Sequence, residues 1–406
     1  MARPSVLIAE TERFAVAHDS RRPEPMPADP PPAMILHLLL GAQGGGCERN
    51  CLLFCEGSGG FRHGVMTLGP AGEMTVPWQR VASEVLHLDI LSLSRPAQAA
   101  RVRAAVEGLA TVPAAVMLWH GMPEMPFLLH ALRDWRGPVF AHAGNPHLRP
   151  SRWMDLRFLA AERLWPSPHR PTFVCCSEYV ARSLGNGWYL GRFPCATVPN
   201  GVRPLQGGGH RPRPLAPDAP CTVGMLARLD RIKDHATVLR AVALARERLP
   251  GLRLEFAGDG PEKERLRALA AELGLADAAR FLGSVGAIYN TLAGWDVFVY
   301  AATVHEGFGN ALAEALTCGL PSIVTDIGPM REVCGEAAEG AVVYVPPSDP
   351  AAMAAALVTL VPDLAQRQAL GEAATRRAER EFGAGVYAER YERIFRRAVA
   401  GKEQPA

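Results

Sequence analysis

The sequence predicts an α/β fold built from parallel, doubly wound sheets in two lobes. Three observations predict it. Short apolar runs alternate with helix-like segments through the C-terminal half, which is the pattern of successive βαβ units. A second series of short apolar runs starts at Met34–Leu40 and continues to Cys176. The 406 residues, 48% of them apolar, supply enough material for two or three cores of ordinary size.

Taken in order, residues 1–33 are rich in proline around Pro23, Pro25, Pro27 and Pro30 to Pro32, and read as a disordered extension. Met34–Leu40 is a short apolar strand that runs into Gly44-Gly45-Gly46-Cys47-Glu48-Arg49 and a helix. Gly45 and Gly46 are candidate ligand contacts, with a plain turn as the alternative. Cys47, Cys51 and Cys55 are spaced by four, so a helix puts them on one face. That spacing matches no usual metal or cluster run, and buried small apolar thiols are the expectation. Further strands are expected at Val65–Leu68, Val85–Leu88, Val116–Trp119, Val139–His142 and Phe173–Cys176. His120 and His142 stand at the ends of two of these strands, where an open parallel sheet binds its ligands; a structural role is the alternative for each, and for His147.

Between Arg149 and Trp165, Arg149, Arg152, Arg157 and Arg163 mix with Trp153, Phe158 and Trp165. Such a segment could dock on a membrane surface or a lipid-linked acceptor, but an ordinary amphipathic helix of the N-terminal lobe is the preferred reading. Proline and glycine cluster from Gly201 to Pro220, which places the interdomain linker there.

The second lobe opens with the strand Thr222–Leu226, a loop bearing Arg228 and Lys233, and a helix through Val238, Leu239 and Val242. Arg offers a planar fork and Lys a compact charge, so the two could clamp a phosphate; ordinary surface cations are the alternative. Strands follow at Leu254–Ala257, Phe281–Gly283, Asp296–Tyr300 and Pro321–Asp326. Ala351–Val361 is apolar but too short to span a bilayer, and Asp349-Pro350 caps it as a helix. The last helix, Val386–Val399, spaces Tyr387, Tyr391, Ile394 and Phe395 along one face.

The most informative run is His305-Glu306-Gly307-Phe308-Gly309-Asn310-Ala311-Leu312-Ala313-Glu314-Ala315. Gly307 and Gly309 permit a tight turn and close approach to a ligand. Leu312 and Leu316, among small alanines, then form a helix ended by Gly319 and Pro321. Unpaired N–H groups near Asn310 and Ala311 and the helix dipole favour an anion, and a diphosphate is its natural occupant. Glu306 lies before this helix and Glu314 in its first turns. The two acids are thus displaced along a ligand, which suits separate hydroxyl contacts better than a dyad sharing one proton. A glycine-rich turn with two solvated acids is the alternative.

Glu306 and Glu314, Arg228 with Lys233, Gly258-Asp259-Gly260-Pro261 and Val198-Pro199-Asn200-Gly201-Val202 together resemble retaining glycosyltransferases of family 4. The resemblance runs from about Met34 to the last helix and is densest between Cys221 and Val345. It implies the GT-B fold: two Rossmann-like doubly wound domains facing an interdomain cleft. The implied division is 34–205 for an acceptor-binding domain, 206–382 for a nucleotide-sugar domain, and 383–406 for a helix packing back toward the first. Glu306 would hold hydroxyls of the donor sugar and Glu314 the ribose. Arg228 and Lys233 would neutralise the diphosphate, helped by backbone amides after Phe308, from Gly309 to Ala311. His120, in Trp119-His120-Gly121, aligns with a family histidine near the reacting carbon, and Gly45 and Gly46 would lie beside the phosphates. The chain departs from the pattern at Pro329, where a second glycine is usual, and at Ala301–Val304, where a small polar stretch is usual; both bear on sugar selectivity.

The implied partners are a nucleoside diphosphate sugar and an acceptor hydroxyl. No cofactor or metal is expected: no Asp-x-Asp occurs, and the two cations would do a metal's work. The charge of +2, from 43 basic and 41 acidic residues, and the absence of a dense basic run with interleaved aromatics speak against nucleic acid. Nine cysteines without a disulfide framework, and no secretory apolar segment at the start, make the cytoplasm the expected compartment. A nucleotide-sugar epimerase on the same architecture and a non-catalytic sugar-binding protein are the alternatives.

Overall fold

The computed structural model describes residues 32–119, 125–147, 152–203, 205, 209–216 and 218–401, with backbone alone at 152–154. Ala33–Ala406 is one unit holding two parallel sheets. The N-terminal lobe runs β1 (Met34–Leu39), α1 (Gly46–Gly57), β2 (Arg62–Thr67), α2 (Thr75–Gln79), β3 (Glu84–His87), α3 (Arg95–Glu107), β4 (Ala115–Leu118), α4 (Met125–Ala131), β5 (Val139–Ala143), α5 (Arg152–Leu164), β6 (Thr172–Cys175), α6 (Glu178–Gly185) and β7 (Cys195–Thr197). Its strands lie in the order β3-β2-β1-β4-β5-β6-β7, every neighbouring pair parallel.

The C-terminal lobe follows with β8 (Cys221–Leu226), α7 (His235–Ala245), β9 (Leu252–Ala257), α8 (Lys263–Glu272), β10 (Ala279–Gly283), α9 (Ile288–Ala293), β11 (Val297–Tyr300), α10 (Asn310–Thr317), β12 (Ser322–Thr325), α11 (Gly328–Cys334), β13 (Val343–Val345), α12 (Pro350–Leu360) and α13 (Leu364–Phe382); α14 (Ala384–Val399) closes the chain. The second sheet is ordered β10-β9-β8-β11-β12-β13, again parallel throughout. Both sheets have helices on both faces, so their central strands are buried end to end, as β1, β4, β11 and β12 are. The edge strands β7 and β13 have three residues each and too little apolar sequence to announce themselves.

Chain order reverses between β1 and β4 in one sheet and between β8 and β11 in the other. At such a switch point the loops leaving neighbouring strands part in opposite directions and open a crevice at their carboxyl ends. Four loops are thereby placed: those after β1, β4, β8 and β11. They carry Gly41–Gly46, Trp119, Ala227–Lys233 and Ala301–Gly309.

After α13 the chain crosses back, and α14 packs on α1 of the N-terminal lobe. Tyr387, Tyr391 and Phe395 are fully buried there. Phe395 stands edge-on to Phe140, 4.7 Å between ring centres, and Tyr391 lies 5.0 Å from Phe54. In α5, Phe158 is buried and Trp165 packs edge-on to His130, while Leu156, Arg157, Arg163 and Leu164 face outward. The aromatic rings of this segment whose side chains are described therefore serve the lobe's interior. No described helix is long and apolar enough to cross a membrane.

Candidate active site

The loops at the two switch points enclose a cleft of ≈ 970 Å³ with walls from both lobes. The lobes meet closely at its mouth. Ser177, which caps α6, donates its hydroxyl proton to the Gly307 carbonyl at 2.7 Å, and Tyr179 donates to the Val304 carbonyl at 3.0 Å. Asn200 donates to the Asn310 side-chain oxygen at 2.8 Å, tying the segment after β7 to the first residue of α10. Gly307 has no alternative at this junction, since a Cβ there would sit 1.9 Å from the Gly144 carbonyl oxygen. Gly309, at φ +85°, turns the chain into α10 in the left-handed region that favours glycine.

The C-terminal wall carries Arg228, Lys233, Glu306, Phe308, Gly309, Asn310, Ala311 and Glu314. Arg228 is 71% exposed and 3.9 Å from the Asp230 carboxylate, so it is a solvated charge on the rim. Lys233 is different. It is 16% exposed, and its ammonium touches Glu306 and donates to the Tyr300 hydroxyl at 2.6 Å. Burial pushes Lys233 down to about 8 and Asp230 works against that; the Glu306 carboxylate in contact with it also favours the charged form. Glu306 is buried, and its other carboxylate oxygen accepts the Gly307 N–H at 3.0 Å. Phe308 turns its ring edge-on to Phe382 in the core, leaving its backbone at the cleft.

Glu314 lies about one turn into α10, eight residues after Glu306 in the loop before it, where the cleft joins a smaller recess of ≈ 370 Å³. Burial raises its pKa to about 7, with Arg49 pulling the other way. The recess is lined by Arg49 and Asn50 of α1, Arg203, and the segment Gly286 to Asn290. Both acids line the cleft, and Glu314 alone also lines the recess.

The N-terminal wall consists of the glycine loop and the end of β5. Gly45 caps α1 and Gly46 begins it; both line the cleft, and a Cβ on Gly46 would come 3.3 Å from the Asn310 amide nitrogen. His142 and Asn145 lie on the same wall, with the His142 ring 5.6 Å from that of Trp119. His120, the histidine favoured by resemblance, lies outside the described residues. His147 is buried behind the wall, and its backbone N–H donates to Ser183. Tyr300 drew notice in the sequence only as the end of a strand, because nothing in its local pattern says that the ring lies beneath the Lys233–Glu306 contact.

Of the three spaced cysteines, Cys51 and Cys55 are buried, whereas Cys47 is only half-buried and lines the cleft. Cys55 stands with His37 and His63, their potential ligand atoms all within 4.8 Å of one another. The hydrogen bonds do not suit a metal. Trp119 donates its indole N–H to His37 Nδ1 at 3.0 Å, so the His37 proton must reside on Nε2, which faces His63 Nδ1 at 3.0 Å. A ligating histidine ordinarily donates from its second nitrogen; here that nitrogen accepts.

Residues 210–377 match the family model described as glycosyl transferases group 1. Among curated relatives, the chain is 33% identical over 214 residues to the exopolysaccharide phosphotransferase SCO2592 of Streptomyces coelicolor, a match covering 52% of this chain and 21% of that one. It is 33% identical over 184 residues to the lipopolysaccharide core biosynthesis glycosyltransferase LpsD of Rhizobium meliloti, covering 45% and 51%. The chain thus spans a fifth to a half of the length of these relatives. Among solved structures, Alr3699/HepE of Anabaena in complex with UDP and glucose superposes with a TM-score of 0.70 at 17% identity, covering 88% of this chain and 98% of that one. Likeness at this level of identity gives the fold, which is GT-B.

Proposed function

We infer, from a C-terminal lobe whose residues 210–377 match the glycosyl transferases group 1 family model, that the chain moves a sugar from a nucleoside diphosphate donor to an acceptor hydroxyl, with retention of configuration and without a metal. One observation carries the reading: Lys233, Glu306, Glu314 and the start of α10 converge on a single cleft, with Arg228 on its rim. As the bond between sugar and diphosphate lengthens, negative charge grows on the departing phosphate while the sugar becomes oxocarbenium-like. Lys233, Arg228 and the N–H groups after Gly309 would stabilise that charge as it develops, which is where binding lowers a barrier. Glu306 would orient the sugar hydroxyls, and Glu314 would accept from the ribose.

The glycine loop and His142 on the opposite wall leave the acceptor to approach from the N-terminal lobe. Contacts between the lobes at Gly307 and Asn310 would exclude water during transfer and limit hydrolysis of the donor. Nine free thiols suit a reducing compartment, and the cytoplasm is the location we propose. The test is a panel of UDP- and GDP-sugars scored by nucleoside diphosphate release with a chelator present. Turnover is expected to persist in chelator and to fall by at least about a thousandfold in the Arg228→Ala/Lys233→Ala double variant, the scale seen when preorganised charge stabilisation is removed. Undiminished transfer by that variant would refute the clamp.

A further inference from the structure

Tyr300 ends β11 fully buried, with its ring stacked 6.0 Å from Phe298. Its hydroxyl makes two hydrogen bonds. It accepts from Lys233 Nζ at 2.6 Å and donates to Glu306 Oε2 at 3.0 Å. The Lys233 ammonium also lies 5.1 Å from the centre of the ring, and the ring edge supports the Gly309 turn, where a Cβ would come within 3.1 Å of it. One side chain thus bonds the buried cation and the buried carboxylate and fills the space beside the glycine that caps α10. Burial holds the phenol far above its ordinary pKa, so it stays an O–H donor throughout the working range.

The need for such a bridge follows from the contact beneath it. Lys233 has three N–H donors and Glu306 four lone-pair sites; left alone in a buried place, the two would satisfy each other and offer little to a ligand. We propose that Tyr300 is the positioning residue of the donor site: its hydroxyl accepts one hydrogen bond from Lys233 and donates one to Glu306, so both groups keep their places when the sugar draws on Glu306 and the diphosphate on Lys233. This rests on the transfer reading above. Asp230, Glu306 and Tyr300 face the ammonium, as does His235, which burial and Lys233 push down to about 3 and so keep neutral. With the phenol oxygen removed, the buried ammonium loses one of its hydrogen-bond acceptors, so its charged form is less well held and Lys233 should lose its proton at lower pH.

The experiment compares wild type, Tyr300→Phe, Lys233→Ala and Lys233→Ala/Tyr300→Phe by calorimetric titration with UDP and GDP and by donor turnover from pH 6 to 9. Tyr300→Phe should bind nucleoside diphosphate within about threefold of wild type while kcat falls about 10- to 100-fold, the scale of a misplaced catalytic group. The alkaline limb of its kcat profile should move down by about one pH unit. In the Lys233→Ala background the same substitution should cost less than about twofold, because the two act as a unit. That background comparison also serves if Tyr300→Phe alone does not fold, since it removes the unpaired ammonium. A Tyr300→Phe enzyme with wild-type kcat and alkaline limb overturns the proposal, as does an undiminished loss in the Lys233→Ala background, which marks a merely structural role. A wild type that neither binds UDP or GDP nor releases nucleoside diphosphate overturns the transfer reading itself and the proposal with it.

Discussion

Glu314 sets folding against binding in one side chain. Its pKa rises from 4.5 to about 7 through burial, so between those values the folded chain holds a proton that the unfolded chain has released. Stability from this group is therefore present below pH 4.5 and is lost as pH rises to 7, by at most about 3 kcal/mol. Glu314→Gln should leave thermal stability unchanged near pH 4.5 and raise it above pH 7 in melts across that range; an equal shift at both ends would rule out the linkage. If Glu314 holds the ribose as proposed, its ionised form is the stronger acceptor for the hydroxyl, so the donor KM of wild type should rise as pH falls below 7, a trend that Gln at this position would abolish. The spacing of Glu306 and Glu314 was legible in the sequence because both belong to one short run whose geometry is local. The environment of Glu314 was not, since Arg49 and Asn50 come from a helix more than 260 residues earlier, in the other lobe.

At the scale of elements, the glycine turn before α10 is a joint between lobes as well as an N-cap. Gly307→Ala puts a methyl group into the Gly144 carbonyl and should force the lobes apart, because backbone there cannot yield as a flexible side chain does. UDP or GDP affinity should change by less than about threefold while transfer falls at least about tenfold, as for loss of closure without loss of the donor pocket. Equal losses in affinity and rate, read by titration beside turnover, would count against this. The central strands were readable as apolar runs, and β7 and β13 were not, for lack of length. Cys47 shows the same limit. A spacing of four predicts a shared helix face but not how much of that face the opposite lobe leaves open.

For the whole molecule, α14 ties the chain after the second sheet back to the first lobe. It adds Tyr387, Tyr391 and Phe395 to a core otherwise made by β1, β2, β4, β5, β6, α1 and α2, so α14 completes that side of the first lobe. Phe395→Ala removes a fully buried ring that meets Phe54, Phe61 and Phe140, and should cost about 3–5 kcal/mol in denaturant unfolding. A loss below about 1 kcal/mol would show that α14 is dispensable to that core.

By itself the sequence determined the periodic elements, the glycine turns and the chemical types held in each loop, since these depend on neighbours a few residues apart. Only the tertiary structure decided which loops share a cleft, that Tyr300 lies between Lys233 and Glu306, and that Gly307 is fixed by a carbonyl of the other lobe. Such facts depend on close packing between segments distant in the chain, where a shift of one ångström separates a hydrogen bond from a clash.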